Sequence, residues 1–280
     1  MTSLKLKAVR QRQHGIEAQS TSFLAAQGDL ERIDGWLQVL LDCHAFAIDC
    51  CRAQPLDYME AYAAVASVAY SYAECTRSAL LCGFYGNAMA GLRALFSAND
   101  IVVDFTLTPR SPRKWLRLRS FQHDDMTQVA KSLRGFFKDS TVRERVSQRE
   151  PGLSESMYGI ASEAVHFTPW GTRFFCAEDL SKPGEFYLQY EPQYHPIRAL
   201  LVAMLLQAAL PHLSGYFLDK CDALYGSSNK RLARLQSRHR AHLEVFEAEG
   251  PKRRALLQEY AETQDRLRAG EEFDEVYSDL

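Results

Sequence analysis

Arg93, Ser97, Asp100 and Asp104 stand at i, i+4, i+7 and i+11, a spacing that puts four polar groups on one side of an α-helix. Around them, Leu92, Leu95, Phe96, Ile101, Val102, Val103 and Phe105 are apolar nearly all round, so this helix belongs inside a bundle. A charge at such a position costs on the order of several kcal/mol unless it is paired. The stripe must therefore face a partner network or a wet groove. A second stripe, Tyr158, Ser162 and His166, repeats at i, i+4 and i+8, with Ile160, Ala161 and Val165 as apolar neighbours. His166 falls at the expected helix end, where the negative end of the dipole favours an imidazolium. If the two stripes face each other, Arg93, Asp100, Ser162 and His166 converge on an acid–base centre, a titrating imidazole beside a guanidinium and a carboxylate. The same residues also read as a satisfied polar network that fixes helix register.

Binding chemistry is concentrated just downstream. Residues 110–149 carry eleven basic and four acidic groups, while the whole chain has a net charge of -2. The block centres on Arg110, Arg113, Lys114, Arg117 and Arg119, with Trp115 and Phe121 between them. Guanidinium groups interleaved with aromatic rings suit phosphate contact and base stacking, which makes RNA the candidate partner. A second basic stretch, Lys230, Arg231, Arg234, Arg238 and Arg240, lies on an expected helix. The alternative for both stretches is a solvated face that pairs with acidic segments of the same chain. The chain uses 24 Arg against 9 Lys, so part of the density reflects composition alone.

Ala90-Gly91-Leu92-Arg93-Ala94-Leu95-Phe96, followed by Tyr158-x3-Ser162-x3-His166 and a short hairpin, resembles a group of bacterial helical proteins related to the HEPN superfamily. The resemblance covers roughly residues 60–200. It implies a helical bundle, often a homodimer, with roles in stress or phage defence. Many HEPN proteins are metal-independent ribonucleases, in which an Arg and a His four to six residues apart act on the 2′-hydroxyl and the phosphate. In the group a Glu often follows the Arg-containing motif, whereas Ser97 stands there in this chain. Arg117-x5-His123 and Arg234-x4-His239 fit the Arg–His spacing, but about two such matches are expected by chance in a chain with this many arginines and histidines.

These residues need helices to position them, and helical periodicity dominates. The spacing predicts helices over Glu31–Arg52, from Asp57 (as N-cap, with Glu60 three residues on) to Leu81, and over Asn87–Leu107. Shorter ones are expected at Arg113–Phe121, Met126–Phe137, Val142–Gln148 and Gly152–His166. Thr172–Cys176 and Glu185–Tyr190 are β-prone and read as one short hairpin. A long helix then runs over Pro196–Tyr225, kinked or broken near Pro211. After Gly226-Ser227-Ser228, the apolar positions Leu232, Leu235 and Phe246 and, beyond Gly250-Pro251, Leu256, Tyr260 and Leu267 predict a helical hairpin that docks on the body or on a protein partner. The expected fold is therefore all-α, a multi-helix bundle over 1–225 with one β-hairpin insertion, followed by a charged helical hairpin and acidic tail over 226–280.

Composition bounds the rest. With 280 residues and 46% hydrophobic content, the chain has ample material for a core and is not a disordered or collagen-like sequence. Seven cysteines, an odd number with no CxxC, argue against a disulfide framework and for a reducing cytoplasm. Cys43/Cys50 and Cys75/Cys82 are each seven apart with His44 nearby, but buried thiols pack as small hydrophobes, and the expectation is no metal and no cofactor. The basic start, Lys5 to Arg12, lacks the apolar core of a secretory signal. The longest apolar run, Ala199–Leu210, falls short of the roughly 20 residues a membrane span needs, so no membrane is expected. His123-Asp124 lacks the further His and Asp that an HD-type metal site requires, and no Walker loop, GxGxxG or GxSxG is present.

Overall fold

The computed structural model describes residues 6–122, 124–149, 161–162, 177–178, 186–187, 192–226 and 228–268. The chain is all-α. Its helices are α1 (Leu6–Ala26), α2 (Asp29–Ala53), α3 (Asp57–Leu81), α4 (Tyr85–Leu107), α5 (Ser111–Arg119), α6 (Gln128–Phe136), α7 (Asp139–Ser147), α8 (Pro196–Tyr225) and α9 (Lys230–Arg268). Among the described residues the only strand pairing is Ala177–Glu178 against Phe186–Tyr187, antiparallel. Two residues a side is one step of a ladder, too little to stand as the expected hairpin. The remainder of 172–190 lies outside the described residues.

The core sits where α2, α3, α4 and α8 pack on one another. Phe217 of α8 stacks on Tyr62 of α3 with ring centroids 3.7 Å apart, and Trp36, Met59, Met89, Leu92 and Phe105 are sealed in the same core. α8 is long and apolar enough to cross a membrane by length and composition, but 67% of its most apolar window is buried inside the bundle. It is apolar nearly all round because it is surrounded by other helices.

Two glycines set how closely helices approach. A Cβ on Gly91 would lie 2.1 Å from the Thr76 hydroxyl, so the glycine of the Ala90–Phe96 motif is what brings α4 against α3. Gly83 has φ +74 and turns the chain between those two helices, its α-carbon facing the Gln193 carbonyl. That left-handed conformation favours glycine.

The chain is already helical from Leu6, where α1 is too polar to show a clear stripe. Several expectations are corrected. α3 begins at Asp57 itself with Leu56 in the cap position, so the carboxylate favours the helix start through the dipole rather than as an N-cap. α8 passes through Pro211 without a break. The Pro211 carbonyl accepts from Ser214 Oγ at 3.2 Å and sits 3.1 Å from His239 Nε2, so the turn keeps polar partners.

The expected C-terminal helical hairpin is not formed: α9 is one helix from Lys230 to Arg268 with Pro251 inside it. A proline within a helix costs about 3 kcal/mol. Here Arg253, two residues further on, is clamped to Asp29 of α2 and Gln207 of α8, which holds the chain beyond the proline in place. α9 runs antiparallel to α2, through Arg231–Asp49, Arg238–Asp42 and Arg253–Asp29. Between these pairs, Trp36 meets His239 edge-on with centroids 5.2 Å apart and His242 at 5.4 Å. Gly35 leaves room for the His242 ring, which a Cβ would approach to 2.4 Å.

Candidate functional site

The polar stripe of α4 divides along its length. Toward the C-terminal end it faces α7. Asp104 is held side-on by Arg145, Nε to Oδ1 and Nη2 to Oδ2, both at 2.9 Å. Ser111 Oγ and Thr108 Oγ1 also donate to it, the latter at 3.2 Å. Arg145 further donates to the Phe136 carbonyl at 2.8 Å and lies over the Phe136 ring, 3.8 Å from its centroid. One turn earlier, Arg143 approaches Asp100 at 3.5 Å. Arg149 closes the end of α4 by donating to the Leu107 carbonyl. Both carboxylates are sealed, with side-chain exposures of 4% and 1%, so the arginines of α7 supply the charge that burial demands.

Toward the middle of α4 the stripe opens. Arg93, Ser97, Ala90, Ala94, Ala98 and Ile101 line a groove of about 450 Å³ whose other walls are Val65, Val68 and Tyr72 of α3, Trp115 of α5 and Asp139 of α7. Ser97 Oγ donates to Asp139 Oδ2 at 3.2 Å. Val68 and Tyr72 are exposed at 56% and 45%, which leaves one apolar wall in water. The small residues of α4 floor the groove, while Trp115 packs edge-on against Phe105 at 5.9 Å.

The basic segment is partly neutralised from within. Arg113 pairs with Asp57 and Arg119 with Glu60, both at 3.0 Å and both on the surface. Lys114 lies over the Phe136 ring, 3.9 Å from its centroid. Arg110 and Arg117 are exposed, as are Lys131 and Lys138. The second basic stretch is also engaged, through the Arg231 and Arg238 pairs with α2.

Of the proposed acid–base centre, Arg93 and Ser97 share the groove with Trp115. Asp100 lies 3.5 Å from Arg143. Segment 110–149 carries a net excess of seven positive charges, and α7 brings two of its arginines to the buried carboxylates. Residues 158–160 and 163–166, which the stripe is expected to face, lie outside the described residues. Ala161 is fully buried in the main core with Ser162 half-buried beside it. Tyr158 and His166 lie outside the described residues.

Sequence reasoning missed Arg143, Arg145, Asp139, Val68 and Tyr72. The signal for the first two was present, an acidic stripe on an apolar helix upstream of an arginine-rich segment. Val68 and Tyr72 gave none, because exposed and buried apolar residues look alike in sequence.

A second cluster of titratable groups lies between α2, α8 and α9. Burial pulls His239, His242 and His212 below the ordinary histidine value, with His239 lowering His212 further. Burial likewise pulls Arg253 down, against the opposing pull of Asp29. Cys43 is pushed up to about 12 by burial and by Asp42, so it is a packed thiol and not a thiolate ligand. Among the described residues no three His, Cys, Asp or Glu side chains stand close enough together to hold a metal ion. Compared with protein-family models, curated proteins and solved structures, the chain matches none.

Proposed function

We propose that the protein is a HEPN-like nucleic-acid protein of the cytoplasm that holds an RNA strand in the groove between α3, α4 and α5 and cleaves it without a metal, in stress or phage defence. In this reading Arg93 takes a phosphate and Trp115 with Tyr72 offers aromatic surface for bases. Arg110 and Arg117 extend the electrostatic track. His166 serves as general acid/base. The observation that supports it best is that Arg93 and Trp115, drawn from separate polar and basic segments, line one open groove.

Filter retention of labelled total RNA tests the binding part. Wild type retains RNA with a steep salt dependence, and Arg110→Ala with Arg117→Ala lowers both retention and the salt slope. Cleavage in the presence of a chelator disappears in His166→Ala while retention persists. Wild type that retains no RNA at low salt removes the proposal.

A second reading is favoured by a specific observation. α9 continues fifteen residues beyond its Arg253 clamp, as a docking element of a non-catalytic interaction module does. Its signature is an unchanged RNA assay together with a stable protein complex lost on truncation after Arg253.

A further inference from the structure

Residues 271–280, Glu-Glu-Phe-Asp-Glu-Val-Tyr-Ser-Asp-Leu, contain five acids and no base. Their apolar members, Phe273, Val276, Tyr277 and Leu280, stand at i, i+3, i+4 and i+7. That is the anchor spacing of an amphipathic helix laid into a groove. Among the described residues, the groove between α3, α4 and α5 has complementary character, with an apolar wall of Val65, Val68 and Tyr72, a small-residue floor, Arg93 within it and the exposed Arg110, Arg117 and Lys138 on the segments beside it. Asp139 is the opposing charge there, and it already accepts from Ser97.

We infer that this groove takes the acidic amphipathic segment 271–280 of a second copy of the chain. Geometry selects the second copy. α9 has already reached the first residue of α2 at Arg253, which meets Asp29, and it runs on to Arg268, about 22 Å further. The groove lies the other way, toward the middle of the bundle: Tyr72 precedes Arg77, and Arg77 pairs with Asp34, already inside α2. Three residue steps separate Arg268 from Glu271, a reach of at most about 11 Å, so the segment does not return to its own groove unless several turns of α9 unwind. Exchange between two copies satisfies both grooves at once and closes as a two-fold dimer. The docked segment occupies the groove proposed for the RNA strand, so the two exclude each other, and the peptide and sedimentation assays read the docking without any RNA present.

The test uses the full chain in sedimentation velocity, together with fluorescence anisotropy of a labelled peptide of residues 269–280. Wild type sediments as a reversible dimer that excess peptide dissociates. The dimer is lost both in Phe273→Ala/Tyr277→Ala/Leu280→Ala and in Tyr72→Asp, and Tyr72→Asp binds the peptide about thirtyfold more weakly, as expected when a hot-spot contact of ~2 kcal/mol is removed. Tyr72 is exposed, so the Tyr72→Asp melting temperature stays near wild type and separates lost docking from lost folding. Three results overturn the inference. One is a wild-type monomer that does not bind the peptide. Another is a dimer that survives both sets of changes. The third is a monomer in which only the triple variant binds the peptide, which places the segment on its own chain.

Discussion

Two helix seams in this protein are built from the same chemistry. At the α4–α7 seam, Asp104 is gripped by Arg145 and by two hydroxyls, and Arg145 keeps about a fifth of its side chain in water at 20% exposure. At the α2–α9 seam, Asp29 accepts from Gln207 Nε2 at 2.6 Å and meets Arg253 at 2.5 Å and Arg32 at 3.4 Å. There the Arg253 side chain is only 4% exposed. The first network stands next to an open groove, and the second is sealed beneath a helix. A buried ion pair adds little to stability over an apolar equivalent, but losing one partner is costly in proportion to how far the remaining charge is kept from water. The α2–α9 network therefore acts as a lock for a helix that contains a proline, whereas the α4–α7 network ties α7 to a sealed stretch of α4 through an arginine that stays partly in water.

That contrast is broken most sharply at Asp29. Asp29→Ala leaves Arg253 and Arg32 beside Gln207 with no carboxylate, and it is expected to lower stability by about 3–5 kcal/mol in urea unfolding. Asp104→Asn, which keeps the shape and leaves Arg145 partly in water, is expected to cost less, about 1.5–3 kcal/mol. Equal losses would mean that exposure of the arginine does not separate the two seams.

The glycine notches come next. Gly35→Ala pushes a methyl against the His242 ring and is expected to cost roughly 1–3 kcal/mol as overpacking, with faster proteolysis of α9 as the local readout. Gly91→Ala meets the Thr76 hydroxyl in the same way and should instead disturb the α3–α4 groove, read as altered quenching of Trp115 fluorescence.

Acid sharpens the comparison further. Folding holds His212, His239 and His242 below 6.5, chiefly by burial, so the unfolded chain binds more protons once the pH falls below 6.5. Stability from this cluster is complete above that value and declines as the pH drops through it toward the folded values. The groups facing the cluster include Asp219 and Arg238 as well as Trp36. Urea titrations from pH 8 to pH 5 should show this slope in wild type and a flatter one in His239→Gln.

The smallest effect belongs to the surface. Arg113→Ala and Arg119→Ala remove exposed pairs with Asp57 and Glu60 and are expected to change stability by less than about 1 kcal/mol.

Much of the body was legible in the sequence because its signal is local. Ile33, Trp36, Leu37 and Leu40 trace one stripe of α2, and the Leu92–Phe105 pattern announced a helix buried on most sides. α1 escaped because its apolar positions are few. The hairpin expected beyond Pro251 does not form because the Arg253 clamp holds the chain past the proline, and its partners Asp29 and Gln207 lie far away in sequence. The candidate site was half legible. Arg93, Ser97 and Trp115 were singled out and do share a groove, but the destination of Asp100 and Asp104 was not, since several arginines downstream were equally suitable by charge.

Residue order determined most of the helices, the largely apolar character of α4 and α8, and the need for some counter-charge along the α4 stripe. Periodicity and the cost of burying a charge act on neighbouring residues of one chain. Tertiary structure decided which arginine answers which aspartate, whether a proline ends a helix, and which of the apolar side chains remain in water as the wall of a groove. Those outcomes depend on distances between residues tens to hundreds of positions apart, and a one-dimensional pattern contains no such distances.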